Sequence, residues 1–290
     1  MKKINFLFMV SVIFGILLFS GCGGGEGDDR SNIIGSGTRG STSGGVSLEF
    51  QTNNPPSEMF KDNGHRFAFR FTNFQYHEIS DLRVRTRGFD SSFVSGLDSE
   101  YSVSSIPRAT SDNNGVFNGL IVEGVFVSGF QGTYNFNPSF DWCYTATTTY
   151  RQELCIPDNS NVCTERVSAN VFSNGPISVS LKGSPLRIGD NRIRIEFELS
   201  NALNGKVVSE CFKTDDYAIP VRDLNVKLGT IDGVCTSTSD VIQFIDGRTR
   251  FSCEFNTQDS SSFNTQLSVE FNNLYMQSKD KRIVVRDLLN

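Results

Sequence analysis

Arg192-Ile193-Arg194-Ile195-Glu196-Phe197-Glu198-Leu199 alternates charged and apolar residues without a break. A strand turns successive side chains to opposite faces, so this run has one face to bury and one to wet. A helix would spread the same residues around its circumference. Arg66-Phe67-Ala68-Phe69-Arg70-Phe71, Leu82-Arg83-Val84-Arg85 and Gln266-Leu267-Ser268-Val269-Glu270-Phe271 repeat the pattern. No segment beyond residue 45 carries the 3.6-residue apolar stripe of an amphipathic helix. Asn-Gly stands at 63–64, 114–115, 118–119, 174–175 and 204–205, and Asp-Gly at 232–233 and 246–247. These dipeptides tolerate the positive φ of tight hairpins. Alternating strands between such turns, with 25 phenylalanines for a core, give an all-β chain of antiparallel sheets, sandwich or barrel in type.

A weak internal repeat divides the body. Val46-Ser47-Leu48-Glu49-Phe50 opens one half, and Val179-Ser180-Leu181 lies in the matching strand of the other. The next strand ends Phe69-Arg70-Phe71-Thr72-Asn73 in one and Glu196-Phe197-Glu198-Leu199-Ser200-Asn201 in the other, an offset of about 130 residues. Long alternating segments, Phe140 to Ile156 and Leu267 to Tyr275, close the two halves. Two tandem sandwich domains, 46–157 and 175–290, with a connector over 158–174, fit this better than one large barrel.

The N-terminal end has a different character. Met1-Lys2-Lys3 is basic, Ile4 to Phe19 is almost unbroken apolar sequence, and Ser20 and Gly21 are small. That is the three-part form of a secretory leader. Roughly 16 apolar residues fall short of the ~20 that a spanning helix needs. Cys22 stands where the cut falls, so residues 1–22 resemble a prokaryotic lipoprotein signal, with Phe19 at a position where that pattern usually carries Leu. The resemblance implies removal of 1–21 and a lipid on Cys22. It makes the membrane a partner and sets the chain on the cell membrane or outer surface, facing away from the cytoplasm. Residues 22–45 are rich in Gly and Ser and read as a flexible tether with a reach of about 25–30 Å.

Loss of Lys2 and Lys3 with the leader takes Lys+Arg from 27 to 25 against 32 Asp+Glu, a formal charge of −7. Nucleic acid is therefore no expected partner, because phosphate binding needs clustered positive charge. With Cys22 set aside, six cysteines remain: Cys143, Cys155, Cys163, Cys211, Cys235 and Cys253. An even set in an exported chain reads as disulfides, with 15 pairings open. Proximity favours Cys155–Cys163 and Cys235–Cys253, which leaves Cys143–Cys211. No C-x2-C spacing is present, so no metal site is expected of them.

The segment Gly189 to Ala202, followed by Gly205-Lys206-Val207, is similar to the second strand and turn of immunoglobulin-like domains in prokaryotic surface proteins, the CARDB type being the nearest. The likeness covers about half the chain. It implies tandem Ig-like β-sandwiches. Trp142 stands beside Cys143, so the Cys…Trp…Cys order of antibody domains is missing. Ig-like folds host unrelated roles, so no specific activity follows.

No catalytic constellation is legible. His65 follows Gly64 in a turn and His77 lies between Tyr76 and Glu78, with no Gly-x-Ser-x-Gly elbow. Asp98 with Glu100 and Glu196 with Glu198 are carboxylate pairs, the latter read as solubilising. Asp158-Asn159-Ser160-Asn161 lacks the spacing and glycine of a calcium loop. The salient exposed feature is the row Arg83, Arg85, Arg87, a candidate binding patch that Arg66 and Arg70 would extend toward an acidic glycan or lipid headgroup. The expectation is a non-enzymatic, lipid-anchored envelope protein without cofactor, acting as a surface binding, adhesion or structural module. Its partner would be another surface protein or a glycan. An envelope carbohydrate-active hydrolase or accessory module, and a pilus- or filament-like subunit, are the alternatives.

Overall fold

The computed structural model describes residues 41–290 apart from 164–166, 168–169, 214–217, 238–239, 259 and 288–290. The expected leader 1–21, Cys22 and tether residues 22–40 lie outside the described residues. The described chain is all-β, and its one helical piece is a 3-10 turn, Val221–Asp223. In chain order the strands of the first half are β1 (Ser41–Ser43), β2 (Val46–Phe50), β3 (Glu58–Phe60), β4 (His65–Asn73), β5 (Leu82–Arg87), β6 (Val94–Ser95), β7 (Glu100–Val103), β8 (Gly115–Val127), β9 (Thr133–Phe136) and β10 (Ser139–Ile156). There follow β11 (Val171–Gly175), β12 (Ile177–Leu181), β13 (Leu186–Arg187), β14 (Arg192–Asn201), β15 (Lys206–Val208), β16 (Ala218–Pro220), β17 (Asn225–Leu228) and β18 (Ile231–Asp232). The last five are β19 (Val234–Thr236), β20 (Val241–Gln243), β21 (Arg248–Asn256), β22 (Phe263–Asp280) and β23 (Ile283–Arg286).

The long strands β10 and β22 are the spine. They pair antiparallel along their whole length, from Ser139↔Asp280 to Ile156↔Phe263, with Tyr144 opposite Tyr275. β10 carries β5 and β11 on its other edge, and β22 carries β15 and β17, making a nine-stranded sheet. Two further sheets have matching orders: β2-β4-β8-β6 in the first half and β12-β14-β21-β19 in the second. The described residues lie in one compact unit. The dividing line read from the sequence at 158–174 is therefore crossed by the most extensive strand pairing in the molecule, and the end of that connector is itself strand β11.

The repeat is visible in register and in side chains. Val46 pairs with Asn73, and Ile177 with Asn201. Val46 is thus equivalent to Ile177, and Val179-Ser180-Leu181 lies in the strand that matches β2. Asn73 and Asn201 do the same work. Oδ1 of each accepts the N–H two residues on (Gln75, Leu203), and Nδ2 of each donates to the carbonyl four residues on (His77, Gly205). Both close the turn that ends a buried strand, where free polar groups would be costly.

Phe140 on β10 receives Phe50 and Phe69, each at 5.2 Å between ring centroids, and Phe67 at 6.2 Å, so the four-stranded sheet packs onto the spine. Trp142 Nε1–H donates to the Val46 carbonyl at 2.8 Å, and the Val46 N–H donates to the Tyr144 hydroxyl at 3.0 Å. In the second half Phe197 and Phe251 stack at 4.7 Å. One contiguous apolar core runs through both halves.

Two expectations need correction. The tether ends sooner than residue 45: Ser41–Ser43 pairs parallel with β11, and Gly44 and Gly45 are buried. Of the seven turn dipeptides, only Asp246-Gly247 has both residues at positive φ, 51° and 74°, closing Ile245 against Arg248. Gly115 serves packing instead, since a Cβ there would lie 1.7 Å from the Pro107 carbonyl oxygen. Gly247→Ala is expected to lose about 1–2 kcal/mol in urea unfolding, because a Cβ disfavours this backbone conformation, whereas Asp246→Gly stays near neutral.

Candidate functional site

The arginine row lies where alternation puts it, on the face of β5 opposite the fully buried Leu82 and Val84. Its charges are engaged. Arg85 stands opposite Asp141 across the β5–β10 pair and donates to it at 3.0 Å. Arg87 grips the same carboxylate through Nε and Nη2, the latter at 2.7 Å. Ser278, from β22, adds a hydroxyl donor at 2.6 Å. Arg83 turns to Glu100 on β7 at 2.6 Å.

Asp141 is fully buried. Burial alone would push its carboxyl up. Hydrogen bonds from Arg87, Ser278 and Arg85 outweigh that and hold it below its ordinary 3.8. The same pairing raises the Arg87 guanidinium. Phe212, a non-glycine residue at φ 68°, lies over the row. Its ring is 4.6 Å from the Arg85 guanidinium, and its carbonyl accepts from Arg85 Nη1 at 3.2 Å. The Cys143–Cys211 disulfide fixes this lid one residue away. Arg66 and Arg70 sit on β4, in the four-stranded sheet, and do not extend the row. The arginine row thus belongs to an ion cluster that joins β5, β10, β22 and the 209–213 loop, with Phe212 over Arg83 and Arg85 and with Arg87 exposed.

The structure pairs Cys155 with Cys163 and Cys235 with Cys253, the two pairs that proximity favours, and Cys143 with Cys211, the pair that these leave over. Arg187 is the residue that sequence reasoning missed. Leu186-Arg187 would be read with leucine inside, yet Leu186 is 50% exposed and Arg187 5%. The buried guanidinium donates to the carbonyls of Pro157, Asp190 and Ser261. It stitches the Cys155–Cys163 loop to β13 and to the turn before β22. In that loop Asp158 Oδ1 accepts the N–H groups of Ser160 and Val162, so its carboxylate is spent on the turn itself.

The other expected candidates are dispersed. His65, at the start of β4, bonds the Phe60 carbonyl at 2.9 Å, and His77 Nε2 lies 3.5 Å from the Thr149 hydroxyl. Glu100 is held by Arg83. Glu198 is not the free solubilising group expected: its side chain is 13% exposed, between Lys182 and Arg250 at 3.1 Å each. Asp90, Asp141, Glu198 and Glu210 all sit below the usual carboxylate range, through hydrogen bonds from serine, lysine or arginine. A glycosidase acid needs the opposite shift. Clefts open in the second half, one of about 540 Å³ beside Pro220 and Cys235 and one of about 400 Å³ over β14 and β21. No protein-family model matches this chain, and no curated protein matches its sequence.

Proposed function

We propose that this protein is a non-enzymatic, lipid-anchored component of the cell envelope that works by binding or by contributing structure. The observation that carries the reading is the cysteine pairing. All six body cysteines join each other, which leaves Cys22 as the odd one, directly behind a secretory-type leader. Three disulfides fit an oxidising compartment outside the cytoplasm.

The body fits two Ig-like halves, 46–157 and 175–290, fused at the spine. Immunoglobulin-type sheets run A-B-E-D opposite strands of the C-F-G sheet. β2-β4-β8-β6 and β12-β14-β21-β19 have that first order, and β5 pairs with β10 as C pairs with F. Each half takes the other's F-like strand where its own G would stand. β7 follows β6 in the chain and has no place in that scheme.

Expression of the full chain in an export-competent bacterium tests the proposal. Detergent-phase partitioning and an acylated N-terminal Cys22 in mass spectra are expected. Cys22→Ser should move the protein to the aqueous phase with its disulfides intact. A wild-type protein with a free, unmodified Cys22, or one that hydrolyses a glycan or peptide, overturns the reading.

A further inference from the structure

The outer face of the five-stranded sheet is a ladder of long charged side chains with one short step. Across the β14–β21 pair, Arg194 faces Glu254, Glu196 faces Ser252 and Glu198 faces Arg250. Thr236 of β19 lies beside Ser252 on the other side. The short serine leaves the cleft of about 400 Å³, walled by Lys182, Arg194 and Arg250 together with Glu196. Its hydroxyl side is Thr236 and Ser252, with their oxygens 3.4 Å apart.

Charge in the cleft is unbalanced toward donors. Three cations line it with one carboxylate, Glu196, while Glu198, outside the lining, is shared by Lys182 and Arg250. Glu198 thereby braces two cationic heads at the rim, both of them open to solvent. Arg194 reaches Glu196 only at 3.8 Å, and its Nε is a buried donor without a partner among the described residues. A buried unpaired donor is costly to keep. The chain as a whole carries a formal charge of −5, so a general basic surface does not account for a donor-rich cleft.

We propose that this cleft binds an oxyanion group, sulfate or phosphate, as a free ion or as an ester on a larger molecule. Guanidinium groups match such oxygens in pairs, and hydroxyls complete the shell. The proposal deepens the binding reading above and rests on it for the source of the ligand.

The exported, disulfide-intact protein would be titrated with sodium sulfate, sodium phosphate and N-acetylglucosamine 6-sulfate at constant ionic strength. The arginine Nε–Hε resonances are followed by ¹H–¹⁵N NMR. Saturable shifts of the Arg194 and Arg250 resonances are expected, with affinity about tenfold weaker in Arg194→Gln, read at Arg250, and in Arg250→Gln, read at Arg194, as loss of a charged hydrogen bond implies. Arg192→Gln, on the same face but paired with Glu254, should leave it unchanged. Tighter binding of the sugar ester than of free sulfate would assign a glycan source, and equal binding the free ion. No saturation, or equal shifts at Arg192, Arg194 and Arg248, overturns the proposal. The Cys22 experiment and this one fail independently, because neither readout touches the other's residues.

Discussion

The Cys143→Ala/Cys211→Ala protein is expected to unfold in urea with about 4 kcal/mol less stability than the parent. The crosslink spans 68 residues, and removing it frees a long loop in the unfolded chain. The folded side loses as well. Cys143 is fully buried on β10, and the bridge holds Phe212 over Arg83 and Arg85. The Cys155–Cys163 bridge spans 8 residues, so its removal should cost less, about 2.5 kcal/mol on the same chain-entropy relation. Equal losses for the two double mutants, measured by urea midpoints with unchanged slopes, would show that loop length does not set the stabilisation here.

Asp141→Ala is expected to cost about 1–3 kcal/mol, since it leaves the guanidinium groups of Arg85 and Arg87, both in part open to solvent, without their counter-charge. Arg85→Met with Arg87→Met in the same background should recover part of that loss. If the triple variant is as unstable as the sum of its parts, the cluster is not the coupled unit described. The pH dependence has a definite sign. A carboxyl whose folded pKa lies below its unfolded value stabilises the fold above the unfolded value, and that contribution disappears as pH falls through the folded one. Asp141 is held below 3.8. The parent should therefore lose stability relative to Asp141→Asn as pH drops below about 4, and the two curves should run parallel from pH 5 to 8.

The strands were legible because period-two alternation is a local property, and every quoted alternating run became one. Pairing between strands was not. Nothing in the local pattern of Ser139–Ile156 tells that its partner lies beyond residue 262, since an apolar face can be covered by any sheet. The repeat was visible through Asn73 and Asn201, whose turn-closing bonds demand that residue type. The site was harder to read. Arginines on the wet face of β5 look solvated until Asp141 is brought opposite from β10, and Arg187 gives no local sign that carbonyls from two distant turns will join that of Asp190 around it. Asn-Gly dipeptides misled because glycine also appears where a neighbouring chain passes too close for a Cβ.

The entry of the chain into the fold has a mechanical consequence. β1 belongs to the nine-stranded sheet and β2 to the four-stranded one, with only Gly44 and Gly45 between them. A Cβ on Gly44 would meet the Phe74 carbonyl oxygen at 2.6 Å, and one on Gly45 would meet Leu203 at 2.3 Å. Tension arriving from the N-terminal side of residue 41 therefore meets β1 and its partners on β11 first, then a sterically locked corner. Only past that corner does it reach β2, which Trp142 and Tyr144 hold to the spine. A molecule tugged from that end would bear the load on two sheets at once, like a cord knotted through both layers of a fabric.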